Sequence, residues 1–197
     1  MPIAGLAILP LLVGLALVFS PIHIALLEMV IDPVCSIVFE AERAERDAMR
    51  RPRRDPSEPL LTSRFIWWSL LQGVLILALV AAIFVLALQR AMPDEDARAL
   101  TFAALVATNA GLVLVNRSSS ASLWEALQRP NPTLWWMLGT IAAILSGILM
   151  VPTARHLSGF GPLHGDDLAI ALLAGLGTLV LLEAIKRVIY PSAPVSG

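Results

Sequence analysis

Apolar residues along this chain gather into long blocks, and the charged and proline-rich positions fall mostly in the gaps between them. A helix of about 20 apolar residues crosses the hydrocarbon core of a bilayer, which is roughly 30 Å thick. Blocks of that length predict six helices, at about 3–19, 22–40, 65–88, 99–116, 133–151 and 167–187. Lipid offers no hydrogen bonds to a backbone, so only helices and closed barrels span it. These blocks are about twice as long as barrel strands. The expected fold is all-α: a single polytopic membrane domain over residues 1–197, a bundle of about six transmembrane helices.

One connection is long. Residues 41–64 hold Arg43, Arg46, Arg50, Arg51, Arg53, Arg54 and Arg64, interleaved with acids and with Pro52, Pro56 and Pro59. The prolines disfavour a continuous helix, so a solvated loop is expected, with room for a short helix at its start. Lys and Arg accumulate on the cytoplasmic side of membrane proteins. Placing 41–64 there also puts Arg117, Arg129, Lys186 and Arg187 on that side and leaves only Arg90, Arg98 and Arg155 opposite. Both termini are then expected in the cytoplasm. Trp67, Trp68, Trp135 and Trp136 open the third and fifth blocks, at the depth where amphipathic rings settle.

Composition agrees with the pattern. The chain is 57% hydrophobic and only 15% charged, too apolar for a water-soluble surface to cover. A net charge of −1 gives no global field for nucleic acid. The lone Cys35 excludes an intrachain disulfide and a cysteine metal cluster. The N-terminus lacks a basic region and makes a poor signal peptide.

Ionisable groups inside the apolar blocks are costly and so point to function. Glu28 and Asp32, four positions apart, share one helix face one turn from each other. Two carboxylates so close share a proton or take a cation between them. Pro33 follows and brings no amide hydrogen, so the helix is expected to break at the site and the Met29 carbonyl loses its partner. Freed carbonyls beside two carboxylates suit a hard cation. The competing assignment is a protonated structural acid. Thr108 and Asn109, mid-way along the fourth block, offer neutral oxygens or an interhelical hydrogen bond; Gln72 and Ser146 stand in the same position. Glu183 has the spacing of a local ion pair with Lys186 and Arg187. His23 suits a proton sensor or a hydrogen-bonded interface histidine. His156, His164, Asp166 and Asp167 surround a Gly-rich connection without diagnostic metal spacing. No phosphate-binding loop, nucleophile elbow or paired metal-ligand motif occurs in the chain.

The stretch Pro21-Ile22-His23-Ile24-Ala25-Leu26-Leu27-Glu28-Met29-Val30-Ile31-Asp32-Pro33 resembles the sixth transmembrane helix of P-type cation-transporting ATPases, the family of the calcium, sodium/potassium and proton pumps. Pro21 and His23 match its opening proline and polar residue. Glu28 stands where the family often has Asn, Ile31 where it often has Thr, and Asp32 at the ion-binding Asp. Ser36 to Glu42, Arg51-Pro52-Arg53 and Leu60-Leu61-Thr62 are similar to the cytosolic loop that follows. Nearly the whole chain resembles the C-terminal third of such a pump, from the tail of helix five through helix ten. The later helices match by length and order alone.

The resemblance implies a membrane-embedded cation-transport portion, with Glu28, Asp32, Asn109 and Thr108 around the ion. Asn109 falls near where calcium pumps place an acid, so the ion stays open among calcium, another cation and a proton. The family's Asp-Lys-Thr-Gly-Thr and Thr-Gly-Glu motifs are absent from these residues. ATP and Mg2+ are therefore expected only in catalytic domains beyond this sequence, and the catalytic portion of the pump is the expected partner, alongside the bilayer and the cation or proton. A truncated reading frame or a C-terminal part of a larger transporter would look like this, in a bacterial plasma membrane. The alternatives are an independent six-helix permease or channel relaying protons or cations, and a membrane scaffold whose acids are structural.

Overall fold

The computed structural model describes residues 2–13, 19–40, 63–116 and 132–189. They form seven helices: α1 (Pro2–Val13), α2 (Pro21–Glu40), α3 (Ser63–Gln89), α4 (Asp94–Asn116), α5 (Pro132–Met150), the short α6 (Pro152–Ser158) and α7 (Gly165–Ile189). No strand occurs among the described residues. Residues 41–62, most of the expected arginine-rich loop, lie outside them, as do Arg117 and Arg129.

Helix ends follow local chemistry. Four helices carry proline at their first position, where the missing amide costs nothing and φ is already helical. α4 begins five residues before its apolar block, because Asp94, Glu95 and Asp96 complement the positive end of the helix dipole. α7 likewise opens with Asp166 and Asp167 and closes with Lys186 and Arg187. Asp167 also accepts the His164 amide at 3.0 Å, half of a capping box. α6 ends at Gly159, in the left-handed region at φ 64°, with Gly159 and Phe160 amides returning to His156 and Arg155. The α3–α4 turn uses the same device with Ala91 at φ 55°, a conformation strained for a residue with a Cβ.

α4 is the centre. It packs on α7, α3, α2 and α5, and nearly every side chain from Ala97 to Val106 is buried. Four alanines in that stretch let neighbours approach closely. Closest is α7: a Cβ built on Gly111 would lie 2.8 Å from the Gly175 carbonyl oxygen, and one on Gly175 would lie 2.8 Å from that of Ala107. α1 lies against α3, and α5 against α2 and α6. The core joins Leu6, Leu27, Ile76, Val80, Phe102, Leu105, Leu134 and Ile141.

Among the described residues, four helices, over Phe65–Gln89, Asp94–Asn116, Pro132–Met150 and Gly165–Val188, are long and apolar enough to cross a bilayer. Their outer surfaces expose Leu172, Leu173, Leu176 and Val180 on α7 and Trp67, Trp135 and Trp136 on α3 and α5. Such a surface suits lipid, and the chain is an all-α integral membrane bundle. Polar groups at the α4 C-terminus are paired. Gln72 and Asn116 exchange amide hydrogen bonds of 3.0 and 3.2 Å, and the Lys186 ammonium donates to the Val115 carbonyl at 3.2 Å, filling an acceptor the helix end leaves open.

Gly175→Val should lower the melting temperature in detergent by wedging α4 from α7, at a cost of about 1–3 kcal/mol. Ala91→Gly should raise it, by about 0.5–1 kcal/mol, because glycine adopts the left-handed turn without strain. A double-mutant cycle on Gln72 and Asn116 should return a coupling of about 0.6 kcal/mol; zero coupling would show that the amide pair adds nothing to the contact.

Candidate functional site

α2 carries the acidic positions. Its helix runs unbroken from Pro21 to Glu40, so Pro33 removes an amide donor without ending the helix. Leu27 is buried and, with Leu26, meets Phe102 and Val106 of α4 and Ile141, Ile144, Leu145 and Ile148 of α5. Glu28, one position further round, is exposed. The face it shares with Met29 is covered by none of the described residues. The side chains of Asp32 and Pro33 lie outside the described residues, although their backbone is helical.

α2 and α4 begin at the same end of the bundle and run parallel. The anchors are His23, whose Nε2 bonds the Ser158 carbonyl, and Arg98, whose Nη1 donates to the Gly159 carbonyl at 3.2 Å. The Gly161 amide donates to Glu95 at 3.0 Å at the same end. Five residues beyond Leu27 on α2, about 7.5 Å along the axis, comes Asp32. The same advance from Val106 on α4 reaches Gly111 and passes Asn109. Asn109 stands three and seven residues beyond Val106 and Phe102, and seven before Asn116, which bonds Gln72 of α3; it is half-buried. Thr108 is turned about 100° from Asn109; it is fully buried, and its hydroxyl donates to the Leu105 carbonyl at 2.9 Å.

The weaker candidates are found in other surroundings. Gln72 belongs to the amide pair with Asn116. Ser146 is exposed on α5. Glu183 is buried and lies 3.5 Å from Arg187. His164 packs beside Asp167, which caps α7. His156 joins Glu95, Arg155 and Phe160 around a recess of about 180 Å³. Among the described residues no group of three or more His, Cys, Asp or Glu is placed to hold a metal ion.

His23 holds more of the structure together than its sequence position announced. It is 1% exposed and stacks on Phe160 at 4.6 Å, with Phe19 and Phe102 around it. The only local signal was Ser20-Pro21-Ile22-His23, the spacing of a capping box with imidazole in the acid's place.

Comparison with known proteins agrees with this architecture. The family model described as cation transporting ATPase, C-terminus, matches residues 16–188. Two curated relatives, each named a probable cation-transporting ATPase F, come from Mycobacterium bovis and Mycobacterium tuberculosis. Each is 29% identical over 143 residues, an alignment that takes in 72% of this chain and 16% of the relative.

Proposed function

Because the chain belongs to the C-terminal family of cation-transporting ATPases, we propose that it forms the membrane-embedded ion path of a P-type pump, with the cation bound between α2 and α4. Asp32 and Glu28 supply the negative charge, and Asn109 supplies a neutral oxygen. Pro33 leaves the Met29 carbonyl without its helical donor, adding a further oxygen at the same level. Carboxylate, amide and carbonyl oxygens make a donor set for a hard cation. Thr108 lies about 100° round α4 from Asn109; its hydroxyl hydrogen goes to the Leu105 carbonyl, which leaves the oxygen lone pairs for a cation. What supports the proposal is the register of α2 on α4: Leu26 and Leu27 meet Phe102 and Val106, and counting on along two parallel helices brings Asp32 near the level of Asn109.

The uncovered face at Glu28 supports a larger assembly. A carboxylate at bilayer depth needs protein or water beside it, and the described residues provide no cover there. The chain spans about one sixth of the length of its curated relatives. The remaining membrane helices of the pump would cover that face, and its catalytic portion would bring ATP and Mg2+. In such a pump phosphorylation switches the site between two states that differ in ion affinity. The arginine-rich segment 41–64 then lies in the cytoplasm with both termini, against the catalytic domains, in a bacterial plasma membrane.

In the complete pump, Asp32→Asn should abolish cation-dependent ATP hydrolysis while leaving expression and membrane insertion intact. Glu28→Gln should weaken apparent cation affinity about tenfold or more. Unchanged cation dependence in Asp32→Asn would sink the assignment. Cation flux through the isolated chain in liposomes, driven by a gradient alone, would favour an independent permease.

A further inference from the structure

At the end of the bundle where α2 and α4 begin, Glu95, Arg155, His156 and residues 159–162 line the recess of about 180 Å³. The fold uses the backbone of these residues and leaves their charged side chains over. The Glu95 carbonyl accepts the Gly161 amide at 3.0 Å, and the Arg155 carbonyl accepts the Phe160 amide at 3.0 Å. The side chains of Glu95, Arg155 and His156 enter no hydrogen bond or ion pair among the described residues. The wall joining them is fixed in place. Phe160 stacks on His23 at 4.6 Å, and a Cβ on Gly161 would lie 2.8 Å from the Asp96 amide nitrogen.

The charges decide what such a recess can hold. A bare metal ion meets one carboxylate and one imidazole, too few ligands to hold it, and the Arg155 guanidinium repels it. A simple anion suits Arg155, but Glu95 opposes it, with Asp94 and Asp96 on the same turn. A ligand carrying both signs satisfies both walls. Arg155 suits a phosphate, which its planar fork grips through two oxygens. Glu95 suits a primary ammonium, which offers it hydrogen bonds as well as charge.

Position in the bundle separates a lipid from a dissolved zwitterion. α5 ends at Met150 and α7 begins at Gly165, so residues 155–162 lie where the spanning segments leave the hydrocarbon. Lipid headgroups occupy that depth. α6 and the turn before it also expose Met150, Val151 and Leu157, at 76%, 46% and 80%, an apolar flank for acyl chains. We propose that this recess binds the headgroup of a phosphatidylethanolamine, with its phosphate on Arg155 and its ammonium on Glu95. His156 adds a ring N–H for a phosphate oxygen at the rim. Phosphatidylcholine fits less well, because its methylated nitrogen has no N–H for Glu95. Phosphatidylglycerol brings a net negative charge and no cation. The site is independent of the ion path proposed above.

The test uses the complete native protein, solubilised, stripped of lipid and titrated with dihexanoyl forms of the three lipids, with native mass spectrometry counting those retained. One phosphatidylethanolamine should bind at a concentration about tenfold below either of the others, the worth of one charge-assisted hydrogen bond. Glu95→Gln should bring ethanolamine binding down to the choline level and leave choline binding unchanged. Arg155→Gln should weaken all three about tenfold, and Arg155→Lys, which keeps the charge, should recover most of the loss. A native protein without preference for ethanolamine, or a preference that survives Glu95→Gln, overturns the site. Full affinity in Arg155→Gln overturns it equally. Glycerophosphoethanolamine, the same headgroup without acyl chains, should bind about tenfold more weakly or worse. Equal binding of the two overturns the lipid and gives the recess to a dissolved phosphoethanolamine.

Discussion

In lipid, apolar side chains gain little by turning from the bilayer toward each other, so helices hold together through close packing and a few hydrogen bonds. The α4–α7 contact meets that condition with bare backbone. Gly111 and Gly175 bring the two helices within reach of each other's carbonyls, and the alanines of α4 extend the close approach toward its N-terminus. A central helix surrounded on all sides follows from that contact. Once α7 lies flush on α4, α3 fits beside both, and its Ile76, Val80 and Phe84 fill the space left.

Polar groups mark the two ends of this unit and explain its fixed register. At the C-terminus of α4, the Gln72–Asn116 pair and the Lys186–Val115 bond tie α3, α4 and α7 at one level. At the other end, Arg98 and the Glu95 carbonyl hold Gly159 and Gly161. Each unsatisfied group would be costly away from water, so slipping the helices past one another forfeits several bonds together. α2 is held differently. Leu27 packs in the core, whereas Glu28 and Met29 face outward, and its one long-range polar tie among the described residues is His23 to Ser158.

Block length and hydropathy made the helical membrane fold legible, because bilayer thickness imposes a length that few other folds mimic. Helix ends were less so: α4 gains Asp94 to Arg98 ahead of its apolar block, since acids at a helix N-terminus add stability that hydropathy does not register. The acids of α2 stood out as charges in an apolar run, an expense visible residue by residue. The partners of polar groups did not stand out. His23 meets a carbonyl 135 residues away, Gln72 meets Asn116 across two helices, and no local spacing encodes either pairing. Glu183 had two basic neighbours at equivalent spacing; Arg187 pairs with it at 3.5 Å, while Lys186 reaches across to α4. Thr108 and Asn109 are adjacent in sequence, yet about 100° of helix separates a half-buried amide from a buried hydroxyl bonded to its own backbone.

The arrangement divides the bundle into a rigid part and one that can be displaced. α3, α4 and α7 are locked by glycine contact and by paired polar groups, whereas α2 and α5 pack together and meet the rest mainly through apolar side chains on α4. Apolar contacts resist sliding less than hydrogen bonds do, because they have no fixed direction. A cation between Asp32 and Asn109, as proposed, would bridge the two parts. Its affinity would then depend on how they sit, and any event that shifts α2 would change that affinity by the difference in contacts between the two positions. Pro33 places the missing backbone bond next to Asp32, so α2 yields most easily beside the proposed site. On the proposed assignment the ion-bearing turn is the compliant one, and α4, packed against α2, α3, α5 and α7, is the fixed reference beside it.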